Sequence, residues 1–152
     1  MNKVRWITIF LCLVTVLPVL AQEHWTEGPV WVVSYYRTRP GQFDNYMKYL
    51  RANSVPQSME RKKQGMLLDY KVWVKAPGSR DDYDVAIATL YPNFAKAMDF
   101  NQADFDKDRA ISAQFYKTPD LEKQRQAAAP RLEMRDFVRT EIIREVNLRP
   151  MP

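Results

Sequence analysis

The chain has 152 residues, 23 basic against 18 acidic side chains, one histidine and one cysteine. That length makes a single domain with a sizeable core. A mild, scattered positive excess argues against a nucleic-acid surface, and one histidine with one cysteine leaves no material for a His/Cys metal centre or a histidine-dependent triad.

Lys3 and Arg5 precede an uncharged apolar run from Trp6 to Leu20, with Val19 and Ala21 placed for a cut ahead of Gln22. Residues 1–21 read as a signal peptide, so the protein is predicted to be exported, to the periplasm or beyond. The competing reading is a retained anchor, for which the run is short. Cys12 lies inside the apolar run and lacks a lipoprotein setting, so the mature chain, residues 22–152, carries no cysteine and no disulfide. No later stretch could span a membrane. After removal of the signal, neither membrane nor nucleic acid is an expected partner.

Val30–Thr38 carries Val, Trp and Tyr on both parities, as a strand buried on both faces does. After Pro40-Gly41 the period changes: Phe43, Met47 and Leu50, flanked by Tyr46, fall on one face of a helix. A kink or restart is expected at Val55-Pro56, and Gly65 is a helix stop. Met66–Ala76 returns to a strand pattern, a turn-rich Pro77–Asp82 follows, and Tyr83–Tyr91 is a third strand, so the two form a hairpin. Asn93 is a helix cap, and a second helical segment runs through Phe105, Ile111 and Phe115. Thr118-Pro119-Asp120 starts another helix, which ends at Ala127–Pro130. Asp136–Leu148 fits strand or helix; its β-branched residues favour strand. The order is α+β, a ferredoxin-like βαββαβ arrangement with a four-stranded antiparallel sheet and an extra helical segment, residues 100–130, before the last strand.

The stretches "VWVVSYYRTRPGQFDNYMKYL", "KKQGMLLDYKVWV" and "DYDVAIATLYPNFAKAMD" resemble the secreted branch of the dimeric α/β-barrel superfamily. The resemblance covers about Val30–Asp99; residues 100–130 depart from the minimal fold. It implies a homodimer in which two sheets form a barrel, one sheet face lying under the chain's own helices and the other facing the partner or a cavity. Members of that superfamily include haem enzymes, cofactor-free monooxygenases and small-ligand isomerases and cyclases.

Parity divides the strands accordingly. Val30, Val32, Val72, Val74, Ala86, Ala88, Val138 and Ile142 are assigned to the helix-covered side, with Tyr36. The opposite side receives Trp31, Tyr35 and Arg37, then Asp69, Lys71 and Trp73, Thr89 and Tyr91, and Arg139 and Glu141. Aromatics mixed with balanced charges suit an interface or a lined cavity.

His24, two residues past the predicted cut, is poor as a ligand, and the acidic groups Asp81-Asp82-Asp84 and Asp104-Asp106-Asp108 lack an EF-hand's glycine and closing glutamate. No metal and no cofactor is expected. Tyr35, Asp69 and Glu141 are weak acid/base candidates; charge pairing between strands explains the two carboxylates as well. For Trp31, Tyr35 and Trp73, packing at an interface or in the core outweighs ligand stacking. Three readings follow. The first is an exported dimer binding a small, partly aromatic molecule between its sheets. The second is a cofactor-independent monooxygenase- or cyclase-like enzyme, which needs a buried Asp69, Glu141 or Tyr35 facing a cavity. The third is a structural assembly partner acting through residues 100–130.

Overall fold

The computed structural model describes residues 24–79 and 82–151. The predicted signal peptide, its cut ahead of Gln22 and Cys12 lie outside the described residues. No helix among them is long and apolar enough to cross a membrane.

Strands β1 (Trp25–Thr38), β2 (Asp69–Val74), β3 (Val85–Tyr91) and β4 (Arg135–Leu148) form one antiparallel sheet in the order β2-β3-β1-β4. Between β1 and β2 run α1 (Phe43–Tyr49), a π-helical turn (Leu50–Ser54) and α2 (Val55–Lys63). Between β3 and β4 run α3 (Phe94–Met98), α4 (Gln102–Tyr116), α5 (Leu121–Ala128) and α6 (Pro130–Met134). The chain is thus α+β with a four-stranded antiparallel sheet, as expected.

Local sequence explains most of these boundaries. The Pro40-Gly41 turn bends β1 into α1, with Gly41 at φ 75°, a conformation that favours glycine. Pro56 sits in the first turn of α2, directly after the π-helical turn, where the missing N–H is accommodated without ending the helix. Asn93 caps α3 by accepting the Lys96 N–H at 2.8 Å. Asp120, rather than Thr118, caps α5, accepting from the Glu122 and Lys123 N–H groups. Pro130 opens α6 as well as following α5, so the helical segment continues to Met134.

β4 is a strand throughout, since its β-branched residues pair with β1 along almost their whole length. β1 begins at Trp25, ahead of the expected Val30, because Trp25, Thr26 and Glu27 pair with Leu148, Asn147 and Val146 beyond a bulge. Gly28 lies in that bulge, where an added Cβ would come 2.9 Å from the Glu145 carbonyl oxygen.

Register sets the two faces. Tyr36 pairs with Val85, Ser34 with Ile87, and Val72 with Ile87, so these residues share the face beneath the helices. There Tyr46, Leu50 and Val85 form a buried cluster, closed by Met47, Val72, Ile87 and Met134. Phe43, at the exposed end of the helix stripe, stays half-exposed. Arg135 lies with its guanidinium 3.4 Å from the Tyr36 ring centre and donates a hydrogen bond to the Tyr46 hydroxyl.

The β3 assignment is reversed. Ala86 and Ala88 face away from the helices, and Thr89 and Tyr91 face toward them. The reason is volume: Ala86 lies opposite both Tyr35 and Trp73, whose rings need a small neighbour, whereas Val85 and Ile87 fill the space under Tyr46 and Leu50. Val138 also moves to the open face. A register shift between Tyr35 and Tyr36 makes it the extra residue of β4, and it packs with Val33, Tyr35, Ala86 and Ala88.

Tyr46 is fully buried. Tyr46→Ala is expected to destabilise the fold by about 3–5 kcal/mol, measured as a lower urea midpoint with unchanged slope.

Candidate functional site

The face of the sheet away from the helices collects most of the residues singled out by parity. Its floor is small and buried: Val33, Ala86 and Ala88, each no more than 1% exposed. Two aromatic pairs close over it. Trp31 and Trp73 lie 5.7 Å apart between ring centres, and Tyr35 and Tyr83 lie 4.4 Å apart. The cluster on this face contains strand residues and Tyr83 but no helix residue, unlike the cluster on the other side.

Charged groups complete the surface. Lys71 stands 5.2 Å from the Trp31 ring centre, Lys75 4.3 Å from Tyr83, and Arg139 4.5 Å from Tyr35. Cation–π contact of this kind holds both partners in place and leaves less ring face for a ligand cation. Tyr35 donates from its hydroxyl to Glu141 at 2.7 Å, Arg139 Nε donates to the other Glu141 oxygen at 2.7 Å, and Trp31 Nε1 donates to Glu145 at 2.6 Å.

These contacts set the proton equilibria. Burial pushes the Tyr35 phenol up to about 12, and the neighbouring Glu141 carboxylate adds to the rise. Arg139, then the Tyr35 hydroxyl, holds the Glu141 carboxyl below its ordinary value. Asp69 is lowered chiefly by Lys62, whose ammonium lies 2.9 Å away, with Lys71 at 3.6 Å. A general base needs a free lone pair and a proton affinity near working pH. Glu141 and Asp69 are held as carboxylates of lowered proton affinity by their cations, and Tyr35 is held as the phenol. Asp69 and Glu141 are thus ion-paired and partly exposed, the charge pairing that explains both carboxylates without an acid/base role.

The remaining candidates lie elsewhere. Arg37 donates to the Asp82 carbonyl at 3.3 Å and lines a cleft at the sheet end with Thr38, Gly41 and Asp84. Thr89 is on the helix-covered face. Tyr91, on the same face, lines a cleft of ≈ 410 Å³ with Arg61, Leu67, Phe100 and Phe105. Tyr83, Lys75 and Glu145 also belong to the open face; Lys75 continues the parity of Lys71 and Trp73, and Glu145 that of Arg139 and Glu141. Tyr83 precedes β3 and reaches the face from the connection; the alternation of alanines in "VAIA" was the clue to which side of β3 the rings occupy.

Among the described residues, no group of three or more His, Cys, Asp or Glu side chains is placed to hold a metal ion. Asp81 lies outside them. The Asp104-Asp106-Asp108 series is divided: Asp104 pairs with Lys96, Asp108 with Arg61, and Asp106 accepts from Gln102. No family model, curated protein or solved structure matches the chain.

Two titrations check this electrostatic picture. Tyr35 favours the protonated form in the fold, so its contribution to stability is present below pH 10 and is lost as pH rises toward about 12. Glu141→Gln is expected to bring its phenol back toward the ordinary value, seen as an earlier rise in tyrosinate absorbance. Asp82 behaves oppositely. Lys75 at 2.6 Å and the Gly78 N–H at 2.8 Å lower it to about 2. Its contribution is present above the unfolded value of 3.8 and is lost as pH falls toward about 2. Asp82→Asn is expected to flatten acid unfolding over that interval, followed by circular dichroism.

Proposed function

We propose that this is an exported protein of ferredoxin-like, dimeric α/β-barrel architecture. It pairs with a second copy through the open face of its sheet and takes a small, partly aromatic molecule in the space between the two sheets. The observation that carries this reading is the makeup of that face: Trp31, Trp73, Tyr35 and Tyr83 over a buried alanine floor, with Lys71, Arg139 and Glu141 among them. Aromatics and arginine are enriched at interface centres, and small-ligand pockets are apolar with few placed polar groups. Trp73 is 45% exposed and Ile143 47%, so a second sheet laid on this face would remove apolar surface from water. The order β2-β3-β1-β4, with β1 and β3 central, supports the ferredoxin-like reading.

A ligand-binding role is favoured over acid/base catalysis because each candidate carboxylate is already engaged with a cation. A second reading, assembly through the long helical segment, is favoured by its exposed apolar side chains: Met98, Phe100, Phe105, Leu121 and Leu132.

Native mass spectrometry of the protein exported by its own host tests these readings together. A species of at least two chains carrying extra mass of a small organic molecule is expected, with Trp73→Glu removing that mass and the face-to-face contact. A wild-type monomer would overturn the face-to-face pairing. A two-chain species that survives Trp73→Glu and is lost on Phe100→Glu would support assembly through the helices.

A further inference from the structure

β4, at 14 residues, is the longer of the two edge strands of the sheet. The helices meet it chiefly where α6 leads into its start, and apolar side chains on both of its faces reach solvent. Ile142, on the helix side, is 40% exposed; Ile143, on the open side, is 47% exposed. A long edge strand presents a row of unpaired N–H and C=O groups that invites another strand. Two bulges blunt its ends, at Val138 within β4 and opposite Glu145 where Gly28 lies in β1. Between them, residues 139–144 pair with β1 without interruption.

We propose that this stretch of β4 pairs antiparallel with β4 of a second copy, about a two-fold axis at Ile142. The register follows from charge. A two-fold axis perpendicular to the sheet pairs residues of one face with residues of the same face. With Ile142 on the axis, Arg139 meets Glu145 of the second copy, Thr140 meets Arg144, and Glu141 meets Ile143. Both oppositely charged residues lie on the open face and both have spare capacity. Arg139 uses Nε for Glu141, and Glu145 uses Oε1 for the Trp31 indole. Neighbouring registers fail. An axis at Glu141 sets Glu141 against itself, one at Ile143 sets Glu141 against Glu145 twice, and one at Arg144 sets Arg144 against itself; like charges directly opposite are unfavourable. An axis at Thr140 brings the Val138 bulge into the ladder. This contact is separate from the face-to-face pairing and does not rest on it.

The test uses the full-length chain with Cys12→Ser and a cysteine at one of two positions. In this register, Ile142→Cys places two cysteines directly opposite, with Cα atoms about 4.5–5.5 Å apart, within disulfide reach. Ile143→Cys lies opposite Glu141 instead. Mild oxidation is expected to convert most of the Ile142→Cys chain to a covalent dimer and little of the Ile143→Cys chain. No dimer from Ile142→Cys, or more from Ile143→Cys, would overturn the proposal. Repeating both in a Trp73→Glu background separates this contact from the face-to-face one, whose loss leaves the cross-link intact. Charge reversal gives a second measurement. Arg139→Glu is expected to weaken edge association about tenfold, and adding Glu145→Arg to restore it; a double variant as weak as the single one would overturn the register.

Discussion

The constraint on which the rest of this fold depends is that β1 is bonded along both edges, with helices over one face and the sheet's own aromatic rings over the other. Its Val33 lies opposite Ala88 on one side and Glu141 on the other. Such a strand can carry no indifferent residue. Tyr36 points into the helix-covered core against Tyr46, while Tyr35 points into the opposite layer against Tyr83. Backbone pleat therefore separates two adjacent tyrosines into two different chemical environments. One layer is a core built from helix and strand, and the other is an aromatic layer built from the sheet alone.

The aromatic layer explains how a face without helices can stay ordered. A floor of alanine and valine brings the rings down onto the backbone, and Trp31, Tyr35 and Tyr83 each support a charged group. Arg139 serves twice, stacking on Tyr35 and bonding Glu141. The Asp69 and Glu141 carboxylates are neutralised locally, by Lys62 with Lys71 and by Arg139. Such a surface can meet either water or a second protein surface at small cost.

How much of this was legible in the sequence varied with the range of the interaction that decided it. The Pro40-Gly41 turn, the Asn93 cap and the alternation of Trp31 and Tyr35 against Val32 and Tyr36 are local, and the chain states them directly. The side taken by β3 is not local. Ala86 and Val85 are both apolar, and only the residues across from them, Tyr35 and Tyr36, decide which goes where. Bulges defeat parity for a related reason: the extra residue Val138 takes the open side, while Arg139, Glu141 and Ile142 beyond it keep the sides that alternation gives them. Tyr83 was read as the first residue of the third strand, whereas it precedes β3 and reaches the open face from the connection. The site's members were therefore largely readable, but its floor was not.

The π-helical turn at Leu50–Ser54 carries a consequence for the helix that contains it. A π turn amounts to one residue too many, which rotates everything after it by roughly 100° relative to everything before. α1 and α2 are thus out of phase. The apolar stripe that brings Tyr46 and Leu50 onto the sheet does not continue; α2 instead turns Gln57 and Ser58 inward, both buried. Removing a single residue from this turn would leave a more regular helix and present the wrong side of α2 to β2.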